Sequence, residues 1–261
     1  MVVAHGEGVF VSNGMKETRI LMGMPITVEI VDRGAVVADI GKVFSSFASV
    51  DGTFSTYKDS SEMMKINRGE IAESDWSPAM REIFELAEAT KRETGGYFDI
   101  KTPLGSYDPS GIVKGWAIKK AADILSERGF GNFYVDAGGD VEARGMNAEG
   151  KKWRIGIRNP FDAGEIVKTV ALCGGGIATS GNYERGNHIY NPKTKTPASA
   201  EIVSLSVIGP NVYEADRFAT AAFAMGREGI NFIERVPGLE GYLIDRNGIA
   251  TMTSGFKNYV R

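Results

Sequence analysis

Segments that alternate apolar and polar residues, and segments with apolar residues three or four apart, follow one another along this chain in mixed order. Strict strand–helix–strand alternation is missing. A doubly wound parallel sheet needs that alternation, so the order points to an α+β fold: a mainly antiparallel sheet with helices packed on it. Two rounds of strands followed by helices leave room for a duplicated, T-fold-like unit. Residues 17–31 read as two strands broken at Gly23–Pro25, the second alternating through Ile26, Val28 and Ile30. Residues 35–50 repeat Val36, Ile40, Val43, Phe44 and Phe47 at helical spacing, with Asp51-Gly52 closing the helix. Ser77-Pro78 opens another helix, Ser77 as cap and Pro78 in first position, and Gly95-Gly96 stops it.

Further helices are expected from about Ile112 to Arg128, from about Tyr213 to Met225 and near Ile230–Arg235. Strands are expected at 132–136, 153–158, 166–172 and 202–208, with a last hairpin around Arg246-Asn247-Gly248. No low-complexity linker divides the 261 residues, so residues 17–261 read as a single domain preceded by a loose segment, 1–16.

A formal net charge of −3 without a dense Lys/Arg cluster argues against a nucleic-acid binder. The single cysteine, Cys173, excludes an internal disulfide and a cysteine metal cage. Following the apolar run Val167–Leu172, it reads as a buried strand residue. No apolar run is long enough to span a bilayer, and no basic segment precedes an apolar one at the N-terminus. The expectation is a cytosolic protein, or a processed or trimmed form of an exported one.

Three features carry chemistry. Residues 174–192, GGGIATSGNYERGNHIYNP, combine glycines, hydroxyls, Tyr183, Arg185 and His188, one of two histidines. Open backbone N–H groups beside Arg and His suit an anion, phosphate above all, although composition alone favours a β-turn with polar surface residues. Lys114 and Gly115 fall in the first turn of the helix expected from Ile112, where the N-terminal N–H groups favour phosphate; a solvated surface lysine is an equal reading. Asp216 and Thr220 stand four apart on one helix face, where a carboxylate and a hydroxyl can both reach a hard cation such as Mg²⁺. A helix cap with a core-facing Thr is the plainer alternative. Tyr57, isolated among small polar residues, is either plain surface or a flat ring that can cover a flat ligand.

Taken in order, these residues resemble the FAD:protein FMN transferases, the ApbE-like flavin transferases. The resemblance runs from about Met22 to the C-terminus. It rests on Met22-Gly23, Ser55-Thr56-Tyr57, Ser61-Glu62 with Ile66-Asn67, Phe98-Asp99, and Asp108 with Lys114-Gly115. It continues through Ala137-Gly138-Gly139-Asp140, Ala178-Thr179-Ser180-Gly181 with His188, and Ala215-Asp216 with Ala219-Thr220. It implies FAD as substrate and Mg²⁺ as cofactor: a Ser/Thr hydroxyl of an acceptor flavoprotein attacks the FMN phosphorus, and AMP leaves.

By the same resemblance Met22, Tyr57, Tyr97, Phe98, Asp99, Asp108, Lys114 and Tyr190 contact FAD. The Gly111 carbonyl, Asp216 and Thr220 hold the metal, and His188 is the expected base. The family's usual Met-Gly-Thr is Met22-Gly23-Met24 here, and Ala219 stands where some members carry an acidic or hydroxyl residue. The resemblance also implies a periplasmic or membrane-associated location and an acceptor in a membrane electron-transfer complex. Two other functions compete: Mg-dependent FAD hydrolysis to FMN and AMP, and flavin binding without turnover.

Overall fold

The computed structural model describes residues 2–4, 14–182, 189–198 and 200–260. Its first half comprises β1 (Val2–Ala4), β2 (Met15–Leu21), β3 (Met24–Ile30), α1 (Val37–Phe54), α2 (Glu62–Asn67), α3 (Pro78–Glu93), α4 (Ser110–Glu127), β4 (Phe133–Ala137) and β5 (Asp140–Arg144). The second half comprises β6 (Trp153–Arg158), β7 (Ile166–Leu172), β8 (Gly176–Gly181), β9 (Tyr190–Asn191), β10 (Thr196–Pro197), β11 (Ile202–Gly209), α5 (Val212–Ala224), α6 (Glu228–Arg235), β12 (Glu240–Asp245) and β13 (Ala250–Met252).

Among the described residues, eight strands join in the order β13-β12-β11-β8-β5-β4-β3-β2. Every neighbouring pair is antiparallel. The alternation of the sequence sorts side chains onto its two faces. Phe133, Val135 and Ala137 pack with α1, α3 and α4, whereas Tyr134 points to the opposite face. There β1, β6 and β7 form a second, three-stranded sheet, and Trp153, Ile155, Val170 and Leu172 fill the space between the sheets. Ala178, Leu205, Val207 and Leu243 pack with α5 and α6. The architecture is therefore three layers, with helices, the large sheet and the small sheet stacked in turn. Arg217 of α5 bonds Glu93 at the end of α3 as well as Glu214, tying the two helical groups together.

Several local expectations hold. The two strands expected over residues 17–31 form, but they break at Met22-Gly23 rather than at Gly23–Pro25, since Met24 and Pro25 already pair with Leu21 and Ile20. Both turn residues have positive φ (53° and 72°), the backbone of a two-residue type I′ hairpin. Ser77 Oγ accepts the Met80 N–H, and Gly95 and Gly96 leave α3 at φ 59° and 83°.

Other expectations are corrected. α1 runs through Asp51-Gly52 to Phe54, because Val50 and Phe54 are buried and extend the apolar stripe by a turn. α4 starts at Ser110, so Lys114 and Gly115 lie in its second turn. Cys173 is exposed: β7 ends at Leu172, paired with Trp153, and the cysteine begins the turn to β8. Within the N-terminal segment, Val2–Ala4 pairs with β6 and β2 starts at Met15; residues 5–13 lie outside the described residues. Among the described residues, no helix is long and apolar enough to cross a membrane.

Candidate functional site

Asp216 is buried on α5, and its Oδ2 accepts the N–H of Gly115 on α4 at 2.8 Å. This bond brings the two helices together over the middle of the large sheet. It needs glycine on the α4 side, since a Cβ at Gly115 would stand 2.7 Å from Asp216 Cβ and 2.9 Å from the Val212 carbonyl oxygen. One turn along α5, Thr220 Oγ1 lies 3.3 Å from Ser180 Oγ of β8. Gly111 closes the group: a Cβ there would be 3.0 Å from Thr220 Cγ2 and 3.3 Å from the Phe98 ring. The residues expected to hold a metal thus converge from α4 and α5.

Lys114 stands beside them. Its Nζ is 2.6 Å from Asp140 Oδ2 and 4.0 Å from Asp216 Oδ1. Asp140 opens β5 after the Gly138-Gly139 turn, where φ is 60° and 97°. Its other oxygen accepts the Thr179 N–H at 3.0 Å, and Thr179 Oγ1 is 2.7 Å from Ser206 Oγ.

Gly111, Lys114, Thr179, Ser180, Asp216 and Thr220 border one cavity of about 640 Å³, within the usual range for small-molecule sites. Met22, Tyr57, Tyr97, Phe98, Asp99, Asp108, Gly111, Lys114, Tyr190, Asp216 and Thr220 all line it. Every expected FAD and metal residue is therefore brought to one cleft; the expected base, His188, and Tyr183 and Arg185 lie outside the described residues.

Each wall has its own support. Tyr57, 94% exposed, stands at the rim. Asp99 pairs with Lys91 at 2.6 Å and accepts the Lys101 N–H at 2.8 Å. Asp108 caps the entry to α4 by accepting the Ser110 N–H at 3.0 Å. Tyr190 donates its hydroxyl to the carbonyls of Asp99 (2.9 Å) and Lys101 (2.6 Å), and burial pushes its pKa up to about 12. Lys193 lies 4.5 Å over the Tyr97 ring.

The glycine-rich stretch borders the cavity through Thr179, Ser180 and Gly181, and part of it is a strand that the sequence did not announce. Residues 176–181 form β8, inside the sheet between β5 and β11. A Cβ on Gly176 would stand 2.2 Å from the Val212 N, so glycine there admits the start of α5. Two contributors carry no assignment from the sequence: Ser180, which meets Thr220, and Asp140, which meets Lys114. Their only signals are membership of the Ala178–Gly181 motif and the position directly after a double glycine.

The model of the ApbE family matches residues 22–104 and 101–243. An FAD:protein FMN transferase of Escherichia coli K12 is 33% identical over 165 residues, covering 59% of this chain and 47% of that protein. One from Klebsiella pneumoniae is 33% identical over 162 residues, covering 59% and 45%. The chain thus spans about half the length of the curated relatives it matches. Among solved structures, the ApbE protein of Thermotoga maritima superposes with a TM-score of 0.84 at 21% identity, covering 95% of this chain and 99% of that one. The flavin transferase ApbE of Vibrio cholerae gives 0.81 at 21% identity, covering 94% and 99%. These likenesses are of fold.

Proposed function

The chain belongs to the ApbE family, and on that premise we propose that it transfers the FMN moiety of FAD to a Ser/Thr hydroxyl of an acceptor protein, releasing AMP. One observation carries the reading. All eleven described residues expected to serve FAD or the metal line a single cavity of about 640 Å³.

The donor set fits Mg²⁺. It offers a buried carboxylate, the Thr220 hydroxyl and a main-chain carbonyl at Gly111, and among the described residues no group of three or more His, Cys, Asp or Glu side chains forms a cage. A hard cation that takes few protein ligands and completes its shell with phosphate oxygens suits such a set. A main-chain carbonyl carries two lone pairs, so the Gly111 carbonyl can serve a cation beside any helical bond it accepts. Mg²⁺ bound by Asp216, Thr220 and the Gly111 carbonyl supplies Lewis-acid neutralisation of the pyrophosphate.

The chain's own residues do the rest. Lys114 faces the phosphates, while Met22, Tyr57, Tyr97 and Phe98 provide apolar and aromatic surface for the isoalloxazine ring. The acceptor oxygen attacks the FMN phosphorus, and the pyrophosphate P–O bond to the AMP half breaks. AMP leaves with the bridging oxygen, and His188 takes the hydroxyl proton. Catalysis is then chiefly positioning and electrostatics.

The experiment is intact-mass analysis of a peptide bearing a Ser/Thr acceptor, incubated with the protein, FAD and Mg²⁺. A gain of one FMN with release of AMP establishes the transferase. Free FMN and AMP over an unmodified peptide assign a hydrolase instead. FAD bound but unchanged overturns both.

A further inference from the structure

Asp140 has no part in the chemistry above, yet it is 2% exposed and ion-paired to Lys114, which lines the cavity. We propose that Asp140 is a positioning residue that fixes the Lys114 ammonium for the FAD pyrophosphate and keeps it from closing onto Asp216. The proposal rests on the flavin-transferase reading and adds a second tier to it.

A lysine ammonium is a point charge on a flexible four-carbon stem, so its place is set by what attracts it. Two carboxylates compete for Lys114. Coulomb energy varies inversely with distance, so the attraction to Asp140 at 2.6 Å is about 1.5 times as large in energy as that to Asp216 at 4.0 Å in the same medium. Without Asp140 the same ammonium would swing toward Asp216 and neutralise the carboxylate offered to the cation.

Asp140 can do this because it is itself held. Its Oδ1 takes the Thr179 N–H from β8, and Thr179 in turn meets Ser206 of β11. The anchor is thus built from three adjacent strands of the large sheet, while Lys114 comes from a helix packed on it. An ammonium has three donors, and Lys114 also lines the cavity, so pairing with Asp140 orients the group and leaves it N–H donors for a phosphate oxygen.

A double-mutant cycle tests this, using equilibrium FAD binding together with kcat and KM for FMN transfer to an acceptor peptide. D140N keeps an oxygen for the Thr179 N–H but loses the charge that holds Lys114. It should raise the FAD Kd and KM about tenfold, the loss of one charge-assisted contact, with a smaller change in kcat. In a K114A background the same substitution should change Kd by less than about twofold.

Equal losses in both backgrounds, or an unchanged Kd in D140N, would overturn the proposal. Circular dichroism establishes that each variant is folded. If D140N does not fold, Asp140→Glu serves in its place: it keeps the charge but moves the carboxylate by one methylene, and K114A must again suppress its effect. A wild-type protein that neither binds FAD nor transfers FMN overturns the functional reading itself, an outcome visible before any variant is compared.

Discussion

The backbone N–H of Gly115 on α4 is bonded to the carboxylate of Asp216 on α5, 101 positions away, at 2.8 Å. The bond joins the two helices and aims the carboxylate in one step, which makes Gly115→Ala a sharp test. Helix propensity alone would favour alanine by about 1 kcal/mol. Against it, the new Cβ would meet Asp216 Cβ at 2.7 Å, the Val212 oxygen at 2.9 Å and Tyr213 Cα at 3.0 Å, two of them backbone atoms. Overpacking of this kind costs about 1–3 kcal/mol and should win. We expect a Tm lower by several degrees, at about 2–4 °C per kcal/mol for a chain of this size, measured by calorimetry. An unchanged or raised Tm would show that the helices yield.

Tyr57 is expected to behave in the opposite way. At 94% exposure its ring contributes little to the fold, so Tyr57→Ala should leave stability within about 0.5 kcal/mol of wild type. An aromatic contact with the flavin is worth about 0.5–1.5 kcal/mol, so the FAD Kd should rise by roughly two- to twelvefold. Flavin fluorescence titration reads both proteins. A Kd that does not move would remove Tyr57 from the flavin site.

Much of this is legible in the sequence, and the failures share a cause. Ser77-Pro78, Gly95-Gly96 and the Asp216/Thr220 spacing carry local signals, in that capping, positive φ and one helical turn are set within a few residues. The strand at Gly176–Gly181 is hidden because Gly176 answers to Val212, 36 positions on, and no periodicity records a close approach between a strand and a later helix. The stop expected at Asp51-Gly52 loses to burial of Phe54, a tertiary effect that outweighs weak local propensity. Asp140 is visible as part of a motif, but its pairing with Lys114 exists only once β5 and α4 are packed together.

Asp216→Asn separates charge from shape. The amide keeps an oxygen for the Gly115 N–H and nearly the same volume, so the fold should hold. The lost negative charge removes the one carboxylate among the residues proposed for Mg²⁺. FMN transfer should fall by at least about 100-fold, equivalent to some 2.7 kcal/mol of transition-state stabilisation. A chelator added to the wild-type protein should do the same, reversed by excess Mg²⁺. Transfer in Asp216→Asn within tenfold of wild type, followed by peptide mass, would exclude the carboxylate as the metal's anchor.

Asp136 supplies a dependence on pH that is independent of the reaction. It lies on β4 between Val135 and Ala137, where burial raises its pKa to about 6; the Gly139 N–H and Arg158 oppose the rise, while Asp140 adds to it. The unfolded chain titrates near the ordinary value of 3.8. Between the two values the folded protein therefore holds a proton that the unfolded chain has released. The resulting stability is fully present below about 3.8 and is lost as pH rises through about 6. Asp136→Asn removes the titration while keeping an acceptor for the Gly139 N–H. Relative to wild type, the variant should gain about 1–3 kcal/mol more at pH 7.5 than at pH 3.5, since each tenfold difference in proton affinity between the folded and unfolded chain is worth about 1.4 kcal/mol. Urea unfolding at the two pH values measures that difference, and a variant equally offset from wild type at both would mean that Asp136 ionises in the fold as it does in water.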